Sequence, residues 1–300
     1  MKTLFGIRIA VIITTFAFLL GITIVKCQQI VFADTAELFL PNLVSTRNAD
    51  VKITFSPDGK KMLWGGIDWI KDKKDNDIWQ SDNINGKWSN PTRVTFDSDS
   101  DDFDPFFSPD GKGVYFFSNR PGGFGGDDIY FVPYNTVANT FGIPVNLGNQ
   151  INTTGNEWAP VTDKAGKYLI FSSNGHGGFG RQDLFMAKIL KSGFAKPVNV
   201  GASVNSAADD FDAVLLPENA LVFTSSKGKD AKADLYISFK IENKFTNPIK
   251  LPAQINAREF WTFGPSVNFK QPGYLYFSSH LTPNIGRTDI YRIKYHIQGK

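Results

Sequence analysis

From residue 49 to residue 296 the chain runs as short hydrophobic segments broken by polar turns, and no segment after residue 30 keeps a long helical period. The segments come in sets. Residues 101–130 (DDFDPFFSPDGKGVYFFSNRPGGFGGDDIY) have counterparts at 156–185, 209–236 and 258–291, and a first copy begins at Ala49 and runs on to Trp79. Each set predicts four strands: a short one opened by an acid, a hydrophobic one, one starting at Asp-Ile-Tyr or its like, and a brief tail such as NPTRV at 90–94 or PVNL at 144–147. The turn SPDGK at 56–60 and 108–112 joins the first two strands, its proline presetting one dihedral and its glycine taking the left-handed position.

The aspartates that open the third strands, Asp77, Asp128, Asp183, Asp234 and Asp289, stand 51, 55, 51 and 55 residues apart. Four antiparallel strands in a repeat of this length make a propeller blade. Five are counted, at about 49–96, 101–148, 156–201, 209–252 and 258–296. The last copy stops without a tail, whereas LPNLV at 40–44 lies ahead of the first copy with no repeat in front of it. Segment 36–44 is therefore expected to complete the fifth blade, leaving the ring no open edge. The predicted fold is all-β, a five-bladed β-propeller within residues 28–300.

The run SPDGK, a hydrophobic strand, SNRPGGFGG at 118–126 and then Asp-Ile-Tyr is similar to the WD-repeat-like propeller units of TolB and related envelope proteins. Such repeats are common in exported proteins of Bacteroidetes type. The likeness covers about residues 35–296 and implies the propeller fold. TolB has six blades, one more than are counted here.

Residues 1–27 differ from the rest. Lys2 and Arg8 precede an apolar run from Ile9 to Val25, then Lys26 and Cys27, which reads as an export signal or an uncleaved membrane tether. Cleavage after Cys27 or Ala33 is expected, and Lys26 disfavours lipidation of Cys27. The formal charge of +3 resides in this segment, since Lys2, Arg8 and Lys26 lie there without an acid; the remainder is balanced. A neutral surface excludes nucleic acid as a partner, because that binding rests on clustered basic residues. One cysteine allows no internal disulfide and no thiolate zinc site. Export without disulfides fits a periplasmic or envelope-associated monomer.

The candidate chemistry lies where first strands begin. Asp50, Asp102, Glu157, Asp210 and Glu259 open them and are expected to ring one mouth of the central channel. They would either staple local backbone or attract a cation or basic segment. Two positions on, strand alternation gives a second tier of Lys52, Asp104, Ala159, Asp212 and Trp261, whose asymmetry makes it the first place to look for ligand contacts. The acid run DSDSDDFD (Asp97, Asp99, Asp101, Asp102, Asp104) offers alternating oxygen ligands for Ca2+, but lacks the glycine turn and closing glutamate of a helix–loop–helix site. The loops PGGFGG and HGGFG present Arg120, Phe124, His176 and Phe179, and neither continues as a phosphate cradle would. The repeated third-strand aspartates read as ties between loop backbone and strand. Three histidines and no GxSxG elbow give nucleophilic catalysis little footing, and no cofactor is expected.

Two functions remain. The favoured one is a non-enzymatic scaffold that binds an envelope protein, peptide or glycan. The alternative is a carbohydrate-active enzyme of glycoside hydrolase type, with Asp104, Glu157, Asp212 and Glu259 as candidate carboxylates and Trp261 stacking on a sugar ring. Against it, the acids recur in every copy, whereas such chemistry needs two acids in unlike environments.

Overall fold

The SPDGK turns close as their residues require. Gly59 and Gly111 adopt φ of 74° and 72°. The Ser56 and Ser108 hydroxyls donate to Asp58 and Asp110 at 2.7 Å, and each carboxylate also accepts the amide two residues further on at 3.1 Å. A turn tied in this way returns the first strand directly into the second, and the meander repeats.

In the computed structural model, which describes residues 8–16, 23–68, 75–217, 219–228, 230–241 and 244–298, the chain forms five antiparallel sheets. Blade one comprises Ala49–Phe55, Lys61–Asp68, Asp75–Ile84 and Thr92–Arg93. Blade two comprises Asp102–Phe107, Gly113–Ser118, Asp128–Asn135 and Val145–Asn146. Blade three comprises Glu157–Thr162, Tyr168–Ser173, Asp183–Lys188 and Val198–Asn199. Blade four comprises Asp210–Leu215, Ala220–Ser225, Asp234–Ile241 and Ile249–Lys250.

Blade five draws on both ends of the chain. Phe263–Val267, Tyr274–Ser279 and Asp289–Gln298 supply three strands, and Glu37–Leu38 supplies the fourth, with Leu38 opposite Tyr291 and Glu37 opposite Arg292. The expected closure therefore forms, in a different register. Glu37–Leu38, and not LPNLV, takes the place of Val145–Asn146, because the Phe39 amide donates to the Ile290 carbonyl as the Leu147 amide does to Ile129. Leu40–Val44 is the turn that follows, its Val44 amide returning to Leu40 at 2.9 Å. Phe32 is also part of the clasp. It pairs with Tyr295 as Phe141 pairs with Tyr134 and Phe245 with Lys240. Ile30 and Phe32 are fully buried in the core shared by blades four and five. The expected export signal at residues 1–27 falls on residues 1–7 and 17–22, outside the described residues, and on strands Arg8–Phe16 and Thr23–Phe32, described before Ile30 only as backbone.

Within the blades one aromatic pair recurs between second and third strands. Phe116–Tyr130, Phe171–Phe185, Phe223–Tyr236 and Phe277–Tyr291 stack at 5.8 to 6.2 Å. The inner strands share a bulge, where pairing with the second strand slips. At its centre stand Lys52, Asp104, Ala159, Asp212 and Gly264, all with φ between 43° and 60°. For the four that are not glycine this left-handed conformation costs on the order of 1 kcal/mol each. Five repetitions of the same strain re-aim these positions, which is what a bulge does beside a site.

Candidate functional site

The acids that open the inner strands turn to their own entry loops. Asp50 accepts the Thr46 amide at 2.7 Å and its hydroxyl at 2.9 Å. Ser98 does the same for Asp102, Thr153 for Glu157 and Ser206 for Asp210. Burial pushes the Asp50 carboxyl up to about 7 against the pull of those hydrogen bonds, and raises Glu157 and Asp210 from the same cause. These four are staples holding loop to strand. Glu259 is not the fifth. Thr262 occupies that place: its amide donates to the Ala233 carbonyl as the Asp210 amide does to Gln182, and its hydroxyl accepts the Ala257 amide at 3.0 Å. Blade five's entry loop is one residue longer, which leaves Glu259 exposed and takes Trp261 out of the second tier, where Gly264 stands instead.

The rest of the second tier converges. Lys52 Nζ reaches across the channel from blade one to Asp212 Oδ1 of blade four at 3.5 Å, both side chains almost wholly buried. The other Asp212 oxygen accepts the Gly264 amide at 2.9 Å. Asp104 is buried beside them, and burial together with the Asp212 charge, opposed by Lys52, raises it to about 8. The axis is thus filled by one cation and two carboxyl groups in unlike settings.

The acid run is divided among separate tasks. Asp97 accepts the Ile78 amide at 3.2 Å, where Asn152, Asn205 and Asn256 accept the equivalent amide in blades two to four. Asp101 is held by Asn119, Asp102 by Ser98 and Arg120, and Asp104 points to the axis. These acids therefore do not converge on one point. Among the described residues no three His, Cys, Asp or Glu are grouped to hold a metal.

Arg120 and His176 also work inside their blades. The Arg120 guanidinium lies 5.2 Å from the rings of both Phe116 and Tyr130 and pairs with Asp102 at 2.6 Å. His176 packs against Phe171 and Phe185 and bonds the Ile151 carbonyl at 2.7 Å. Lys227 covers the corresponding rings in blade four, a role that a one-blade motif could not reveal. Phe124 and Phe179 are exposed at their loop tips, each with its amide donating to the third-strand aspartate, Asp128 or Asp183, at 2.6 Å. Asp289 ties Ile285 in the same way.

The pattern breaks between blades four and five. In blades two, three and five the loop before the third strand leans on the next entry loop through Gly125, Gly180 and Gly286, where an added Cβ would meet a carbonyl oxygen at 2.3, 2.0 and 2.2 Å. Blade four has Ala231 at that position, and an alanine cannot approach so closely. Asp234 there binds two cations instead of loop amides, the buried Lys232 and, at 2.5 Å, Lys250. A groove of about 510 Å³ opens at the junction, lined among others by Asp230, Lys232, Ala257, Arg258 and His280. The lengthened entry loop leaves Phe260 (47% exposed) and Trp261 (56%) in the open, with the Phe260 ring 4.2 Å from that of His280 in the groove's lining. Arg258 makes no ion pair among the described residues. Apart from Trp261, the sequence reading missed this site. The signals were there: KGKDAKAD where blades two and three are glycine-rich, and an extra residue before Thr262.

Comparison with known proteins places the chain among β-propellers. No family model matches it, and no curated protein sequence matches it. Among solved structures it is similar to an α-L-arabinofuranosidase from Lactobacillus brevis, at 13% identity over 84% of this chain and 92% of that one, with a TM-score of 0.52. A Mycobacterium tuberculosis puromycin-hydrolyzing peptidase matches 96% of this chain at 9% identity and a TM-score of 0.46. The tricorn protease matches 84% at 14% identity and 0.48. The chain spans only 43% and 22% of those two peptidases. At these identities the likeness is one of fold.

Proposed function

We propose that this chain is an exported, TolB-like binding propeller, without catalytic activity of its own, that holds a glycan in the groove between blades four and five. The carrying observation is that the groove opens where the repeat departs from its own rule, lined by Arg258, which makes no ion pair among the described residues, and by His280, whose ring meets the exposed Phe260, with the exposed Trp261 next in the chain. Flat aromatic faces take the apolar side of a pyranose, Arg258 serves hydroxyl or carboxylate oxygens, and the blades supply rigidity. Export rests on the basic-then-apolar start of the sequence. The test is a glycan array with the full chain beside a Trp261→Ala/Arg258→Ala variant. Glycan signals lost in the variant at unchanged melting temperature support the reading, and signals equal in both proteins refute it. N-terminal sequencing of protein from fractionated cells decides export.

One observation favours a second reading, glycoside hydrolysis. Asp104 stays protonated near neutral pH while Asp212 faces Lys52, and two unlike carboxyl groups are what that chemistry needs. An aryl α-L-arabinofuranoside, suggested by the fold neighbour, is the first substrate to try. Turnover abolished by Asp104→Asn would favour this reading over simple binding. Absence of turnover across a panel of aryl glycosides would remove it.

A further inference from the structure

Apart from the groove, and at the opposite end of the blades, the flank of blade three carries a cluster of lysines, one of which, Lys240, lies over the Phe245 ring at 5.9 Å. Residues 184–208 hold Lys188, Lys191 and Lys196 and no acid, although residues 28–300 as a whole are balanced in charge. Lys167 and Lys240 flank them, from the turn before Tyr168 and from blade four. None of the five makes an ion pair among the described residues.

Between these lysines lies a groove of about 280 Å³. The strand register builds its floor: Tyr168 stands opposite Lys188, and Met186 opposite Val198, so the four share one face of the sheet. Tyr168 is 38% exposed and Val198 67%, and Phe245 of blade four closes the side. Elsewhere the aromatic at the outer hairpin lies in a two-residue strand, Phe141 in Thr140–Phe141 and Phe245 in Lys244–Phe245. In blade three Phe194 makes only an isolated bridge to Ile189, so this edge is shorter than its neighbours.

We infer that this flank is a docking surface for an extended acidic peptide segment whose apolar residues sit on Tyr168, Met186 and Val198 while its carboxylates meet Lys188, Lys196 and Lys240. A polyanion alone would answer the charge but leave the apolar floor uncovered. An alternating acidic and apolar strand answers both, since side chains of an extended peptide project to opposite sides at every second residue. Charge complementarity of this kind chiefly speeds encounter and selects partners, and the apolar floor supplies the hold.

The probe is a fluorescein-labelled peptide alternating Glu with Val and Phe, titrated into the full chain by fluorescence anisotropy. Saturable binding is expected, weakened at least about tenfold by Lys188→Glu/Lys196→Glu and several-fold by Val198→Ser. Lys112→Glu, an exposed change in blade two, serves as the charge control and should leave binding within about twofold. All substituted side chains are exposed, so unchanged melting curves check that the variants fold. Binding indifferent to the Lys188/Lys196 reversal overturns the inference. So does dextran sulfate competing equally well against wild type and Val198→Ser, which would mark a general polyanion patch, and so does the absence of any saturable binding. Because the glycan groove is untouched by these variants, failure here leaves that reading standing.

Discussion

Blades two and three and the junction of blades four and five solve the same problem with different chemistry. A loop must be fastened to the third strand and laid against the next blade. In blades two and three a buried aspartate accepts two loop amides and the side-chain amide of Asn146 or Asn199, and a glycine lets the loop touch its neighbour. At the junction Asp234 holds two lysines, Ala231 holds the loop back, and Thr262 stands in for the acid that staples every other entry loop. The backbone fold survives both solutions, and a groove opens beside the second. A repeat makes room for a ligand by giving up one of its own internal contacts.

That contrast can be broken from either side. The largest effect is expected from Asp234→Ala, which leaves the buried Lys232 cation without its partner and should cost about 3–5 kcal/mol in urea unfolding. Asp50→Thr, which copies blade five's solution into blade one, acts on pH dependence. With its folded value raised to about 7 from an ordinary 3.8, Asp50 keeps its proton in the native state while the unfolded chain has lost it. Stability from this source is therefore full below about pH 4 and falls as pH rises to 7, where it levels off. The variant should remove about 2–3 kcal/mol of the wild type's decline between pH 5 and 8, and an unchanged slope would show that Asp50 does not titrate there. Asp183→Ala, which frees two loop amides and Asn199, should cost about 1–3 kcal/mol and expose the Phe179 loop to proteolysis. Smallest of all is Trp261→Ala. Its ring is over half exposed, so stability should move by no more than about 0.5 kcal/mol while glycan signals vanish.

The repeat carried its local physics in plain view. SPDGK specified the turn, period-two hydrophobic runs specified the strands, and five aspartates at near-constant spacing specified the blades, because each depends on residues within a few positions of one another. The candidate site was less legible. Asp50, Asp102, Glu157 and Asp210 were found, yet their role as staples depends on loop residues whose orientation no strand pattern gives. Lys52 and Asp212 were placed in one tier, but a contact spanning 160 residues becomes visible only when the ring closes.

What the sequence determined alone, then, was everything set by neighbours along the chain: the turn, the alternation, the count of blades and the need for a borrowed strand. The tertiary structure decided that Glu37–Leu38 is that strand, that Thr262 displaces Glu259, and that a groove opens between blades four and five. The last two choices turn on one inserted residue and one Cβ, whose cost is set by atoms of a neighbouring blade and not by the residues beside them in the chain.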